Sequence, residues 1–137
     1  LLIIIKNVNH IANLLSTITN NQLRNKPQIE VKYTNLIESL CQILKDNEFL
    51  ESFEVVQKDK FKFISLTLAY DEKSGVPAIR SAKLISKPGV RKYLPAAEIK
   101  TLIGGMGIRV VSTSKGLMVG EQARKLNLGG ELLCEIY

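Results

Sequence analysis

An α+β fold in two small subdomains is predicted by three observations. Apolar residues recur at helical spacing in two stretches of the first half, at Ile11, Leu14, Leu15 and Ile18 and again at Leu36, Ile37, Leu40, Cys41 and Leu44. Alternating or β-branched runs mark strands on either side of them. A stretch rich in turn formers, Asp71 to Pro77 with Lys73, Ser74 and Gly75, then separates an α-β-α-β-β first half from a β-rich second half with short helices. The expected units are residues 1–71 and 77–137.

The elements follow in order. Asn9 is placed to cap the first helix, which ends in the polar loop of Asn20, Asn21, Asn25 and Pro27. His10, the sole histidine, has no acid or cysteine beside it and reads as a surface residue. Ile29 to Tyr33 alternates as a strand with one wet face, and Thr34 or Asn35 caps the second helix. Asp46-Asn47 breaks that helix. Phe49 to Val56 and Phe61 to Tyr70 form a hairpin through Lys58-Asp59-Lys60, with a bulge expected where the pattern shifts phase between Phe63 and Ile64.

Beyond the linker, Ala78 to Ser86 reads as a strand carrying Arg80 and Lys83, followed by a turn at Lys87-Pro88-Gly89. Arg91, Lys92 and Tyr93 come next, so cations gather around an aromatic ring as on a backbone-tracking surface; a solvated turn is the bland alternative. Pro95 to Leu102 is expected as a short helix, Gly104 to Gly107 as a lead-in to a strand at Ile108, and Gly120 to Leu126 as another short helix. The last strand, Glu131 to Tyr137, alternates imperfectly, as a strand buried on most of both faces does.

The centre of this arrangement is Ile108 to Gly116. β-Favouring residues lead into a tip of Ser112, Thr113, Ser114, Lys115 and Gly116, where hydroxyls, amides and one ammonium group suit phosphates and ribose hydroxyls. The alternative is a hairpin turn whose serines bond only to their own backbone.

The whole chain sets limits on function. It has 137 residues, 45% hydrophobic and 23% charged, with a formal net charge of +6. That describes an ordinary folded chain whose distributed basicity favours a polyanion partner. Cys41 and Cys134 stand in unrelated contexts and read as buried thiols in a reducing compartment, with neither zinc spacing nor a disulfide framework. The opening Leu-Leu-Ile-Ile-Ile stops at Lys6, short of the roughly 20 residues of a bilayer span, and the missing initiator Met suggests that something preceded Leu1. Abundant Lys, Asn and Ile with sparse Arg suggest an AT-biased or organellar genome.

Catalytic motifs fail on context. Gly105-Met106-Gly107 lacks the third glycine and the following helix of a dinucleotide fingerprint. Ser112 to Lys115 satisfies Ser-x-x-Lys without the partner motifs that the chemistry requires. Glu48 and Glu51 read as surface charge, so neither an enzyme, a cofactor nor a small-molecule substrate is expected.

Taken together, Ile85-Ser86-Lys87-Pro88-Gly89 with Arg91 and Tyr93, Gly104 to Ile108, Ser112 to Gly116, Glu121 to Lys125 and Gly129 to Cys134 give a specific pattern. In order and spacing the chain resembles the family of ribosomal protein eight of the small subunit, in its bacterial and organellar form. The resemblance implies a non-enzymatic protein that docks on a helix in the central domain of small-subunit ribosomal RNA, supports platform assembly and contacts neighbouring ribosomal proteins. It makes the Ser-Thr-Ser loop the main RNA-contacting element. The expected RNA-binding set is Ser112, Thr113, Ser114, Lys115, Gly116, Lys87, Pro88, Gly89, Arg91, Lys92, Tyr93, Arg80, Lys83, Gly130 and Glu131. For Glu131 two roles stand open, holding the loop through backbone amides or accepting from a base amino group.

The chain departs from the family in its first helix, with Asn9-His10 where Asp-Pro is usual and Thr17 and Thr19 in place of two arginines. Weaker RNA contact by that helix is expected. The departure points towards an organelle, a mitochondrion rather than a plastid, with a bacterial cytoplasm as the other setting. The rival functional class is a protein-binding or non-ribosomal RNA-binding scaffold with a basic surface.

Overall fold

A computed structural model of the chain describes residues 2–87, 89–99 and 107–137, with side chains from residue 10 onward. The fold is α+β, and the chain groups into two compact units, His10–Arg80 and Leu1–Asn9 with Ser81–Tyr137.

Helix α1 (Leu2–Leu23) begins before its expected cap, because no proline or glycine interrupts the run through Asn9. It ends where Asn25 takes a left-handed φ of 54° ahead of Pro27. In the first unit, β1 (Gln28–Lys32), β2 (Leu50–Lys58) and β3 (Phe61–Leu68) form an antiparallel sheet in the order β1-β3-β2. Helix α2 (Asn35–Asp46) lies against β2. Its cap is Thr34, whose hydroxyl accepts from the Ile37 amide at 3.1 Å.

Ile64, Leu66 and Leu68 of β3 point into the core, while Phe61 and Phe63 lie on the opposite face. The phase shift in the sequence is therefore two phenylalanines on the outer face, without a bulge: Phe63 keeps its register with Lys32 and Val56. The irregularity sits in β2 instead, between Leu50 and Ser52. The stretch after β3 is an ordered turn. Asp71 Oδ1 accepts from the amides of Lys73 at 2.8 Å and Ser74 at 3.4 Å, and Tyr70 bridges Pro77.

The second unit is a sheet in the order β4-β8-β6-β7, with β5 also on β8: β4 (Ala82–Leu84), β5 (Tyr93–Leu94), β6 (Ile108–Thr113), β7 (Gly116–Val119) and β8 (Gly130–Ile136). The expected strand from Ala78 is confined to Ala82–Leu84; Ala78 instead donates to the Ala69 carbonyl within the first unit. The helix expected from Pro95 is a single 3-10 turn, Ala96–Glu98, since Ile99 adopts extended ψ and enters the core. The remainder of that expectation, and Gly104 to Met106, lie outside the described residues. Helix α3 (Gly120–Lys125) follows β7.

Val111, Leu132, Met118, Ile99 and Ala123 form the core on one face, and Val110, Cys134 and Ile136 are buried on the other. A register shift between Val110 and Val111 leaves Leu133 as an extra residue in β8, so Leu132, Leu133 and Cys134 are all buried in succession. That accounts for the strand's broken alternation. Burial pushes the thiols of Cys41 and Cys134 up to about 12, so both stay protonated near neutrality. Among the described residues no helix is long and apolar enough to cross a membrane.

Candidate nucleic-acid interface

The hairpin β6–β7 turns through Ser114 and Lys115 and closes on Gly116, whose φ is 109°. A positive φ at this third position is the reason glycine stands there. The Thr113 hydroxyl locks the turn, donating to the Gly116 carbonyl at 2.9 Å and accepting from the Lys115 amide at 3.2 Å. Thr113 is thus spent on its own backbone. Ser112 and Ser114 have no hydroxyl partner among the described residues, although a turn serine commonly finds one.

Register sets what surrounds this tip. Ser112 pairs with Glu131 across β6 and β8, and Glu131 pairs with Tyr93 across β8 and β5. Ser112, Glu131 and Tyr93 therefore share one face of the sheet in a single row, whereas Thr113 alternates to the other face. Tyr93 is 64% exposed, leaving its ring and hydroxyl open.

Glu131 is buried and binds Arg91 through two parallel contacts, Nε to Oε2 at 2.5 Å and Nη2 to Oε1 at 2.7 Å. The bidentate pair is a brace between the 87–92 loop and β8. It raises the Arg91 pKa further above its ordinary value, chiefly through the hydrogen bond to Glu131. The structure thus gives Glu131 a partner that the sequence did not name, and Arg91 offers phosphate less than a free guanidinium would.

Ser86 ties the same loop from below. It is fully buried, donates to the Leu132 carbonyl at 2.7 Å and accepts from the Lys92 amide at 3.1 Å, while the Leu132 amide donates to the Lys92 carbonyl. No charge or motif chemistry in the sequence marks this serine as the loop's anchor. Lys87 and Val90 exchange backbone hydrogen bonds at the turn, holding Lys87 and Lys92 on the surface. Gly89 is exposed with space for a Cβ, and Pro88 lies outside the described residues.

Gly130 acts by close approach. A Cβ there would stand 2.2 Å from the Ser112 carbonyl oxygen, so glycine lets β8 pass beneath the tip. Lys83 lies elsewhere: it pairs with Glu135, which pairs with Arg109, on the face opposite Ser112. Arg80 belongs to the first unit and is exposed there. Lys87, Lys92 and Lys115 are exposed and form no ion pair among the described residues.

In α1 the threonines at the departing positions bond back to their own helix, Thr17 donating to the Asn13 carbonyl at 2.7 Å and Thr19 to the Leu15 carbonyl at 3.0 Å. His10 is half-buried rather than simply superficial, at the edge of an open groove of about 400 Å³ that includes Asn13, Thr17, Glu30 and Lys32. Among the described residues no cluster of three or more His, Cys, Asp or Glu could hold a metal ion.

A small basic α+β protein with a hydroxyl-and-lysine hairpin braced by a buried ion pair is the class that fold and site define. The comparisons with known proteins are narrower: the family model described as Ribosomal protein S8 matches residues 9–137, and the chain belongs to that family. It is 39% identical to the small ribosomal subunit protein uS8 of Flavobacterium johnsoniae over 127 residues, covering 93% of this chain and 96% of the relative. It is 38% identical to the uS8c protein of Physcomitrium patens, with the same coverage, and 40% identical over 134 residues to that of Chlorella vulgaris. These relatives are bacterial or carry the uS8c designation. They give no support to the mitochondrial setting expected from the first helix.

Proposed function

We propose that the chain is a structural constituent of the small ribosomal subunit that binds the central domain of small-subunit ribosomal RNA and supports platform assembly, beside neighbouring ribosomal proteins. Family membership supports the ribosomal setting, in a bacterial or plastid-type particle. The observation that carries the RNA reading is the row Ser112–Glu131–Tyr93, whose hydroxyls have no partner among the described residues, with the ammonium groups of Lys87, Lys92 and Lys115, also without an ion pair among the described residues.

The geometry suits recognition by shape. Duplex RNA hides its base edges in a deep major groove and displays ribose hydroxyls across a shallow minor groove. A two-residue tip fits such a groove, with Ser112 and Ser114 exchanging hydrogen bonds with ribose and phosphate. Lys115 neutralises a phosphate, Lys87 and Lys92 follow the adjoining backbone, and Tyr93 stacks on or packs against the sugar. The Arg91–Glu131 pair holds these groups in place without itself meeting the RNA.

Binding of the full chain to a central-domain fragment of small-subunit RNA, measured across salt concentrations, tests this. Salt-dependent binding that weakens on substitution at the tip supports it. Undiminished binding by tip variants overturns it, and affinity for a ribosomal protein that survives nuclease treatment supports the protein-scaffold alternative instead.

A further inference from the structure

Helix α1 carries one polar residue on the stripe that it buries. Ile11, Leu15 and Ile18 lead at helical spacing to Gln22, which is 2% exposed although it ends in a carboxamide. Neither its Nε2 nor its Oε1 has a hydrogen-bond partner among the described residues. Buried amides are nearly always paired, because leaving water without a replacement bond is costly. Gln22 lines a cleft of about 380 Å³ within the first unit, between the last turn of α1 and residues 76–80. The ordered turn after β3 delivers that second wall, with the Asp71 amide donating to the Val76 carbonyl and Ala78 to that of Ala69. Gln22 and Ile79 are buried at the floor, whereas Leu23, 82% exposed, stands at the rim with Val76 and Arg80. Arg80 is the one charged group among the described lining residues, and it forms no ion pair among the described residues.

We propose that this cleft binds an extended protein segment in which an apolar side chain is followed by a carboxylate. The chemistry of the occupant is read from what the cleft leaves unmet. A carboxamide asks for a donor and an acceptor side by side, and a peptide backbone offers both in its N–H and C=O groups. The rim of Leu23, Val76 and Pro77 suits an apolar side chain seated over Ile79, and the Arg80 guanidinium suits a carboxylate. Water alone would pair Gln22 yet leave Leu23 and Val76 bare. A nucleotide would find no aromatic ring among the described lining residues to stack on. The inference deepens the proposed place of this chain beside neighbouring ribosomal proteins and rests on it for the class of partner.

Two measurements test it. The full chain is titrated with a capped leucyl-aspartyl dipeptide while the Gln22 carboxamide signals are followed by NMR, and a photo-crosslinker in place of Leu23 is activated in the native small subunit. Movement of the Gln22 carboxamide and Ile79 methyl signals is expected, with a crosslink to a ribosomal protein where an apolar residue precedes an acidic one. Gln22→Met removes the unmet groups at similar volume, so it should fold at least as stably as the parent chain while losing about tenfold in dipeptide affinity and weakening the crosslink. Arg80→Ala should weaken dipeptide binding about tenfold, and Arg80→Lys less. Duplex RNA binding should be unchanged in Gln22→Met, so failure of the hairpin reading and failure of this one are told apart. Gln22 signals that stay still throughout the titration overturn the proposal. So does a single bound water at Gln22 that the dipeptide leaves undisturbed, movement with adenosine monophosphate in place of the dipeptide, or a crosslink to RNA.

Discussion

The carbonyl oxygen of Ser112 lies 2.2 Å from where a Cβ on Gly130 would be, so two strands of the second unit approach more closely than any side chain allows. Gly130→Ala must part β6 from β8 or shift the tip. Because the obstacle is backbone, the expected cost is roughly 2–3 kcal/mol, measured by denaturant unfolding, and RNA affinity should fall with it. Unchanged stability would show that the approach is looser than described.

Ser86→Ala removes a buried hydroxyl that both donates and accepts, leaving the Lys92 amide and Leu132 carbonyl each one partner short. A loss of about 1–3 kcal/mol is expected. Hydrogen exchange at the Lys92 amide should accelerate, whereas the turn at Ser114 should keep its protection.

At the tip, charge and hydroxyl should separate experimentally. Lys115→Ala is expected to weaken duplex binding and lower the salt slope by about one unit, as loss of one phosphate contact does. Ser114→Ala should weaken it by about 1 kcal/mol at constant slope, since a neutral hydrogen bond goes. A Lys115→Ala chain with the original slope would remove that ammonium group from the phosphates.

The turn after β3 predicts an acid-side response. The amides of Lys73 and then Ser74 hold the Asp71 carboxyl below its ordinary pKa. A carboxyl depressed on folding contributes stability above its unfolded pKa, and that contribution is lost as pH falls through the folded value. Asp71→Asn should therefore reduce stability at neutral pH and flatten the acid limb of a pH–stability profile. An acid limb identical to that of the parent chain would count against this turn as a source of stability.

Much of the fold is legible in residue order because burial is periodic there. Ile11 to Ile18, the α2 stripe and the Ile64-Leu66-Leu68 alternation each state their buried face directly. What was not legible depends on partners distant in sequence. Glu131 has no visible partner in residue order, and Arg91, 40 residues earlier, is the one that closes on it. Thr113 and Ser112 look alike in a row of hydroxyls, and only strand alternation sends them to opposite faces. Lys83 likewise reads as part of the basic cluster until its register with Glu135 turns it away. At Pro95 to Ile99 the opposite holds: local helical propensity gives one 3-10 turn, Ala96–Glu98, and Ile99 is drawn into the core.

Strand β8 joins β6 on one edge and both β4 and β5 on the other, yet it is the last of these to be synthesised. Nothing before residue 130 can close that sheet, so Ser112 and Tyr93 come into one row only once Glu131 is in place between them. The β6–β7 hairpin, whose pairing is local, can form ahead of that step, so the tip precedes the row that flanks it.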